Sequence, residues 1–336
     1  MFNSKIIGLG HFVPENIVTN DDLSQLMDTN DQWIQERTGI KQRRWAVKGD
    51  GNTTFTMGLK AANNAIINSG INKQDIDFII FATLSPDYYF PGPGVQIQEA
   101  LGIKTVGALD VRNQCSGFIY GLSVADQFIK TGMYKNILVI GSELQSLALD
   151  VSTRGRNLSV LFGDGAGAAI LSQESDNKKG ILSSHLHSEG EHALELAAEA
   201  PGMGKRWVTD IISDNNPNDM SYRPYMNGKF VFKNAVKRFS EVIFQGLQAN
   251  NLSVSDIDML IPHQANLRIA QFIQKKFELS NNQVFNNIQN YGNTTAASIP
   301  IAMSEAYEQG KIKSNDIVVL AAFGSGFTWG SVIIKW

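Results

Sequence analysis

Cys115 is the only cysteine among the 336 residues, and it lies where a predicted strand meets a predicted helix. The β-branched and apolar run 105–111 before it is typical of a strand. Residues 118–129 after it are apolar at helical spacing, which predicts a buried helix. The unpaired N–H groups and the positive dipole end at a helix start stabilise a thiolate. Its position therefore makes Cys115 a candidate nucleophile, although a lone cysteine is often only a small buried apolar residue.

His263 and Asn293 occupy comparable positions further along the chain. His263 follows a predicted strand at 259–261, and Asn293 precedes a predicted helix over 295–308. The ends of parallel strands and the starts of helices are where α/β proteins assemble their sites. Each residue alone is weak evidence, because a histidine can be a satisfied polar side chain and an asparagine suits a turn. Together with Cys115 they predict a shared site.

The elements that must position these residues form an internal repeat. Segment 74–80 matches 255–261 at an offset of 181 residues, and 137–140 matches 317–320 at an offset of 180. Several matches in the same order at a nearly constant offset indicate a duplicated α/β unit. Because strands alternate with helices, we predict an α/β protein with mainly parallel sheets. Its two pseudo-symmetric halves are predicted as residues 1–175 and 176–336, with an inserted functional loop or cap at about 183–227.

Composition limits the classes of function. Hydrophobic residues make up 43% and charged residues 18% of the chain, which are globular values, and the net charge of −3 argues against a general nucleic-acid binder. One cysteine excludes an internal disulfide. No apolar run approaches the ~18 residues that a membrane span needs, and Ile6–Leu9 is too short for a signal-peptide core. We therefore expect a soluble, cytoplasmic protein without a membrane or nucleic-acid partner.

Six segments carry a specific resemblance to a known family. They are Asp31–Ile40, Cys115–Phe118, Phe162–Gly167, Pro262–Ile269, Gly292–Ser298 and Phe323–Gly330. With these segments, the chain from about residue 5 to Trp336 resembles β-ketoacyl-acyl-carrier-protein synthase III, a condensing enzyme of the thiolase fold.

The resemblance implies a thiolase-like fold in αβαβα layers and an acyltransferase activity. The implied reaction is a decarboxylative Claisen condensation of an acyl-coenzyme A starter with malonyl-acyl carrier protein, through an acyl-cysteine, which initiates fatty-acid synthesis. Cys115, His263 and Asn293 match the family's catalytic residues. The backbone N–H groups of Cys115 and Ser325 match its oxyanion hole, although the family normally has glycine at 325. A homodimer is implied, with no cofactor besides the coenzyme A thioester that serves as substrate.

The resemblance also implies a coenzyme A site at Trp33, Arg37, Arg156 and Asn266, with Arg154 as a rival for Arg156. Trp33 and Arg37 are four apart on a predicted helix and share a face, where an indole and a guanidinium can stack an adenine and hold a phosphate. Without the resemblance, a core tryptophan beside a surface arginine is the simpler interpretation.

Two further sets of residues receive roles by resemblance. Arg268, Lys275 and Lys276 share one face of a predicted helix, and with Lys233 they form a candidate docking patch for an acidic carrier protein, although an ordinary solvated face has the same composition. Phe90 and Phe323 are expected to line the substrate channel. Phe90 lies in an aromatic cluster on a turn-rich loop, and it is expected to reach the channel of the partner subunit. No metal site is expected, because the histidines at 185, 187 and 192 lack ligand-like spacing to carboxylates or thiolates.

Other functions compete with this one. A related condensing enzyme that uses other or longer acyl starters in a specialised, polyketide-like pathway is favoured by two departures from the family pattern, Ser325 and Lys229, and by the long loop over 183–227. A non-catalytic partner subunit of the same fold is disfavoured because all three site residues are present. A cysteine hydrolase uses the same residue types, but Cys115 is followed by no cathepsin-like signature.

Overall fold

The computed structural model describes residues 2–199 and 224–336, and strands alternate with helices along the chain. The strands are β1 Asn3–Phe12, β2 Ile17–Thr19, β3 Gln42–Arg44, β4 Phe78–Ala82, β5 Gly107–Val111, β6 Asn136–Glu143, β7 Gly165–Glu174, β8 Gly180–Ser188, β9 Leu196–Ala197, β10 Tyr225–Met226, β11 Met259–Pro262, β12 Ile317–Gly324 and β13 Thr328–Lys335. The helices are α1 Asn20–Ser24, α2 Asp31–Thr38, α3 Thr54–Ser69, α4 Pro93–Leu101, α5 Gly117–Lys130, α6 Arg156–Ser159, α7 Gly228–Ala249, α8 Leu267–Lys276, α9 Ile288–Tyr291 and α10 Ser298–Glu308. None of these helices is long and apolar enough to cross a bilayer.

The first sheet has the strand order β1-β7-β6-β4-β5. β4 and β6 are buried along their whole length and pair in parallel, with Phe78 opposite Ile137. β5 pairs in parallel with β4 on one side only, so it is an edge strand.

The second sheet repeats this order as β8-β13-β12-β11. β11 and β12 pair in parallel, with Met259 opposite Val318, as β4 and β6 do in the first sheet. A single parallel bridge between Leu260 and Val284 occupies the place that β5 takes in the first sheet. The duplication inferred from the sequence offsets is therefore visible in the strand order. The predicted division at residue 175 falls in the turn between β7 and β8 and stays a prediction.

Both sheets are mixed, whereas the sequence led us to expect mainly parallel ones. β7 pairs antiparallel with β1 and β6, and β13 pairs antiparallel with β8 and β12. β12 and β13 are joined by a short hairpin at 325–327, and such a connection permits only antiparallel pairing. Parallel pairing is confined to strands that are connected through helices.

The predicted loop over 183–227 is wrong for its first residues. Residues 183–188 belong to β8, which pairs with β13 and places His187 opposite Trp329. This strand is difficult to predict from the sequence because it is rich in serine and histidine and lacks a clear apolar pattern. Such residues are tolerated here because β8 is an edge strand and most of its side chains are only partly buried. Of the rest, 189–199 and 224–227 form a 3₁₀ turn and the β9–β10 pair, while 200–223 lie outside the described residues.

Three hydrophobic clusters arrange the elements in five layers. In the largest, α5 and α10 lie between the two sheets, so that Ile119 and Met303 pack with Val139 of the first sheet and Leu320 of the second. α3 and α4 cover the outer face of the first sheet, and α7 and α8 cover the outer face of the second. The order of layers is the αβαβα order expected from the resemblance.

Candidate active site

Cys115 lies in a 3₁₀ turn, Gln114–Ser116, that connects the end of β5 to α5. The hydroxyl of Ser116 donates to the carbonyl oxygen of Thr328 at 2.9 Å, which fixes the turn to the start of β13. The end of β12 packs directly on the nucleophile, because a Cβ atom added to Gly324 would lie 2.8 Å from Cβ of Cys115. Only glycine fits at position 324 because the two backbones are so close. This contact brings the second half of the chain against the first.

The charge state of Cys115 differs from the expectation based on its helix start. Burial, the larger cause, and the negative charge of Glu143 together raise the pKa of the thiol to about 12, although the backbone N–H of Cys115 acts in the opposite direction. Desolvation disfavours the charged form of any acid, and here it outweighs the favourable position at the helix start. The resting nucleophile is therefore a thiol, and the thiolate stabilisation predicted from its helix start is outweighed by burial.

His263 follows the last residue of β11, and its backbone N–H donates to the carbonyl oxygen of Ala321 in β12 at 2.8 Å. Its Nδ1 lies 2.6 Å from Oγ of Ser298, at the start of α10. The Ser298 oxygen also accepts the backbone N–H of Gln264 at 3.4 Å. When the Ser298 hydroxyl donates its proton to Nδ1, Nε2 carries the ring proton. Burial lowers the pKa of His263 to about 3, so the imidazole is neutral at physiological pH.

Asn293 is held by its backbone and by one side-chain oxygen. Its N–H donates to the carbonyl oxygen of Leu161 at 2.8 Å, and its carbonyl oxygen accepts the N–H of Gly163 at 3.1 Å. Its Oδ1 accepts the backbone N–H of Thr295 at 2.9 Å. The side-chain NH₂ makes no hydrogen bond to the described residues, so it is oriented and free to donate to a substrate.

A cavity of about 580 Å³ lies over Cys115. Its lining combines both halves of the chain: Leu84, Ser85, Pro86, Tyr89, Arg112, Gln114, Cys115, Gln145, Phe162, Leu196, Ala197, Ala198, Pro224, Thr295 and Ser325. His263 and Asn293 are not lining residues, and both side chains are buried. Both residues are adjacent to the lining. Oδ1 of Asn293 accepts the backbone N–H of Thr295, which is a lining residue. The backbone N–H of His263 donates to β12, whose last residue, Gly324, contacts Cys115.

Ser325 lines the cavity at the end of β12, and its φ angle is not positive. The backbone condition for an N–H donor at this position is therefore met despite the change from glycine. The Ser325 hydroxyl donates to the carbonyl oxygen of Leu196 in β9, a contact that glycine cannot make.

The two phenylalanines predicted at the substrate channel lie elsewhere in this chain. Phe323 is buried in the core of the second sheet, where its ring centroid lies 4.8 Å from that of Phe327. Phe90 is 80% exposed, while its neighbour Tyr89 lines the cavity. Neither phenylalanine lines the cavity of its own chain.

Two guanidinium groups lie close to the ring of Trp33. The guanidinium carbons of Arg37 and Arg156 lie 4.3 and 5.1 Å from the centroid of this half-buried ring. Arg156 also pairs with the carboxylate of Asp28 at 3.2 Å, and Arg154, its rival, pairs with Asp150 at 2.7 Å. The geometry thus brings together Trp33, Arg37 and Arg156 and leaves Arg154 apart.

Asn266 joins this cluster to α8. Its side-chain NH₂ donates to the carbonyl oxygen of Arg37 at 2.9 Å, and its Oδ1 accepts the N–H of Arg268 as the N-cap of α8. Arg268, Lys275 and Lys276 are exposed on α8, and Lys233 is exposed on the neighbouring α7. No ion pair to the described residues neutralises these four cations.

The sequence does not single out Glu143, Thr295 or Ser298, although all three are buried around the site. One signal was available, since Glu143 ends an otherwise uncharged buried strand. The sequence spacing also gives no indication of a possible metal-binding group formed by Glu189, Glu191 and His192. The potential ligand atoms of these three residues lie within 4.8 Å of one another. The carboxylate of Glu189 already binds Arg238 at 2.6 Å, so an ion pair explains it.

Two family models match the chain. The model described as 3-oxoacyl-[acyl-carrier-protein (ACP)] synthase III matches residues 109–190, which include Cys115. The model of the C-terminal part of the same enzyme matches residues 247–336, which include His263 and Asn293.

Curated relatives and a solved structure agree with these matches along the whole chain. A β-ketoacyl-[acyl-carrier-protein] synthase III from Pasteurella multocida is 45% identical over 334 residues, which cover 99% of each chain. One from Clostridioides difficile is 43% identical over 331 residues, which cover 98% of each. The crystal structure of 3-oxoacyl-[acyl-carrier-protein] synthase III from Aquifex aeolicus superposes with a TM-score of 0.89 at 40% identity, covering 99% of this chain and 100% of that one. The chain therefore belongs to the 3-oxoacyl-[acyl-carrier-protein] synthase III family of acyltransferases, and its layered, duplicated α/β fold is the thiolase-like fold of that family.

Proposed function

We propose that the chain condenses an acyl-coenzyme A starter with malonyl-acyl carrier protein, by decarboxylation and through an acyl-Cys115 intermediate, and so initiates fatty-acid synthesis. One observation carries this function. The only cysteine of the chain lines a cavity of about 580 Å³, with the buried His263 and Asn293 held beside that cavity by β12 and by Thr295.

The first half-reaction transfers the acyl group to Cys115. Sγ attacks the thioester carbonyl, the bond from this carbonyl carbon to the coenzyme A sulfur breaks, and the thiol proton ends on the coenzyme A sulfur. Negative charge develops on the carbonyl oxygen, and the backbone N–H groups of Cys115 and Ser325 serve as its donors. The non-positive φ of Ser325 and its place in the cavity lining support this assignment.

The second half-reaction uses the neutral His263 and the amide of Asn293. Loss of CO₂ from the malonyl thioester leaves an enolate, whose oxygen needs fixed hydrogen-bond donors. Nε2–H of His263 and the free NH₂ of Asn293 are suitable donors, because Ser298 and Thr295 satisfy the opposite side of each side chain. The enolate carbon then attacks the acyl carbonyl carbon, the bond from this carbon to Sγ of Cys115 breaks, and the departing sulfur takes a proton from solvent to restore the thiol.

Coenzyme A binds at the Trp33 cluster in this proposal. A half-buried indole close to the guanidinium groups of Arg37 and Arg156 offers a stacking surface, and a phosphate would bind Arg37 directly and Arg156 in competition with its partner Asp28. Asn266 orients this site, since its two hydrogen bonds link the last turn of α2 to the start of α8.

The acyl carrier protein docks on Arg268, Lys275, Lys276 and Lys233. These four exposed cations on two neighbouring helices present an unneutralised basic surface to an acidic partner.

A homodimer accounts for the exposed aromatic residues near the cavity. β5 is an unpaired edge strand with Leu109 exposed, and the loop before α4 exposes Tyr88, Tyr89 and Phe90. A second copy that pairs β5 with β5 about a two-fold axis covers this edge and these rings. Phe90 then reaches the acyl cavity of the partner, and Phe323 supports the channel from the core behind β12.

The reaction proceeds without a prosthetic group or metal ion, because Cys115 supplies the nucleophile and decarboxylation supplies the carbanion. Coenzyme A thioesters and carrier proteins are intracellular reactants, so we place the reaction in the cytoplasm.

The decisive experiment combines intact-mass analysis with a condensation assay. Incubation with acetyl- through octanoyl-coenzyme A should add one acyl mass to the wild type and none to Cys115→Ser. With malonyl-acyl carrier protein, His263→Ala and Asn293→Ala should still accept the acyl group but lose decarboxylation by the ~10²–10³ typical of removing one such donor. An acyl adduct that persists in Cys115→Ser, or equal loss of acylation in the other two variants, contradicts the assigned roles.

A further inference from the structure

Glu143 is a buried acid that the proposed mechanism does not use. It is the last residue of β6, and its side chain is 0% exposed. Its carboxylate accepts hydrogen bonds from Oγ of Ser85 at 2.6 Å, Oγ1 of Thr83 at 3.1 Å, the N–H of Leu84 at 3.2 Å and Nε2 of Gln145 at 3.2 Å. Every one of these partners donates in these contacts, which suits the charged carboxylate rather than the neutral acid.

This carboxylate has no cationic partner. No lysine, arginine or histidine among residues 2–199 and 224–336 pairs with it. Burial raises the pKa of Glu143 above its usual value, and the hydrogen bonds to the carboxylate oppose this rise only in part. A buried carboxylate without a counter-charge destabilises a fold, so its retention in this pocket calls for a role.

The donors around Glu143 shape the cavity. Leu84, Ser85 and Gln145 all bind the carboxylate and all line the cavity over Cys115. Thr295 also lines the cavity and is 1% exposed. Its hydroxyl has no hydrogen-bond partner of normal geometry, but it is close enough to Glu143 to lower the pKa of that carboxyl. The hydrogen bonds of Glu143 thus connect the loop after β4 to the loop after β6.

The charge of Glu143 also acts on the nucleophile. Four other titratable groups lie around the cavity, Glu143, His263, Arg112 and Tyr89, and of these only Glu143 shifts the pKa of Cys115, in the upward direction. His263 stays neutral above pH 3, because burial holds its pKa at about 3.

We propose that Glu143 is a positioning residue of the acylation step: its carboxylate fixes the acyl side of the cavity and opposes negative charge on the sulfur of Cys115. The positioning half of this role rests on the proposed acylation of Cys115. Before acylation the nucleophile stays a thiol, which resists alkylation and oxidation. During acylation the sulfur gains a bond to carbon and loses its proton to the departing coenzyme A, so no lasting thiolate forms beside the carboxylate.

The effect of the Glu143 charge on Cys115 is tested without any thioester. The measurement is the rate at which iodoacetamide alkylates Cys115 between pH 7 and 10. Because the chain has one cysteine, intact mass reports this residue alone. Glu143→Gln should displace the pH–rate curve by about one unit to lower pH, which is about a tenfold faster reaction at pH 8. The control Asp126→Asn changes another fully buried acid, bound to Ser4 and Lys130, and should leave the curve in place. A curve that does not move in Glu143→Gln overturns the electrostatic role.

Glu143→Asp tests the positioning and serves as the deciding variant if Glu143→Gln does not fold. The shorter carboxylate keeps its charge but withdraws from its donors. Alkylation should stay within about twofold of wild type, while single-turnover acylation at saturating acyl-coenzyme A falls about tenfold and the KM for acyl-coenzyme A stays unchanged. Unchanged acylation, or a loss confined to KM, overturns the positioning role. If the wild type itself is not acylated, the proposed function fails, and the alkylation result still decides the charge effect.

Discussion

The hydroxyl of Ser298 lies 2.6 Å from Nδ1 of His263, and both side chains are buried. This contact selects the tautomer, because a hydroxyl that donates to Nδ1 leaves the ring proton on Nε2, the nitrogen proposed to stabilise the enolate. Ser298 belongs to α10 and His263 follows β11, so the pair also holds the central helix layer to the second sheet.

Ser298→Ala should therefore slow decarboxylation more than acylation. The loss should be smaller than the ~10²–10³ expected for removing the His263 donor itself, because the imidazole remains in place but samples the wrong tautomer. The measurement is malonyl-acyl carrier protein decarboxylation beside single-turnover acylation. Ser298→Thr, which keeps the hydroxyl, is the matched control, and a decarboxylation rate in Ser298→Ala equal to wild type would show that the tautomer does not depend on this contact.

The buried neutral His263 predicts a loss of stability in acid. Its pKa of about 3 is well below the usual 6.5, so below pH 6.5 the unfolded chain binds a proton that the folded chain does not. This contribution is present above pH 6.5 and is lost as the pH falls toward 3, by about 2 kcal/mol at pH 5. Urea unfolding at pH 7.5 and pH 5 should show a smaller difference in His263→Gln than in wild type. An equal or larger difference in the variant would mean that His263 is charged in the folded state.

The sequence predicts the features of this structure that depend on neighbouring residues better than those that depend on contacts between distant segments. The buried strands β4, β6, β11 and β12 and their repeated order follow from local apolar runs and constant offsets. The antiparallel pairing of β7 with its neighbours, and of β13 with its neighbours, does not follow from such local patterns. It depends on the direction in which the chain re-enters each sheet.

The site shows the same division. The position of Cys115 at the start of α5 is local and was predicted, whereas its raised pKa comes from burial and from Glu143, which is distant in sequence. The contact between Ser298 and His263 joins residues 35 positions apart, and no spacing rule indicates it.

Arg156 and Arg154 provide a matched test of the coenzyme A site. Arg156→Ala removes a guanidinium beside Trp33 and should raise the KM for acyl-coenzyme A about tenfold or more, the effect of losing one hydrogen bond to a charged group. Arg154→Ala removes a guanidinium that is paired with Asp150 and should leave this KM unchanged. Kinetics with an acyl-pantetheine thioester, which lacks the nucleotide, should not distinguish the two variants. A larger effect at Arg154 would reverse the assignment.

The proposed carrier surface should respond to charge and to salt. Lys233→Glu and Arg268→Glu should lower kcat/KM for malonyl-acyl carrier protein and weaken its salt dependence, while acylation by acyl-coenzyme A is preserved. Lys313→Glu is the control, because Lys313 is exposed four residues before the first residue of β12, whereas Arg268 lies at the start of α8, beyond the opposite end of the parallel strands β11 and β12. An equal effect of Lys313→Glu would indicate general attraction rather than docking at α7 and α8.

Phe90 tests the proposed dimer and its channel together. The side chain is 80% exposed and absent from the cavity of its own chain, so its proposed influence on chain length must act in the partner. Phe90→Ala should open that channel by a phenyl ring and shift the preference for starters toward longer chains. Each methylene in such a pocket is worth roughly 1–3 kcal/mol, so a two-carbon series resolves the shift. The measurement is kcat/KM for acetyl- through octanoyl-coenzyme A, with Tyr88→Ala as a control that truncates another exposed ring of the same loop. A dimeric wild type by light scattering with an unchanged ranking in Phe90→Ala would remove Phe90 from the channel, and a monomeric wild type would remove the dimer itself.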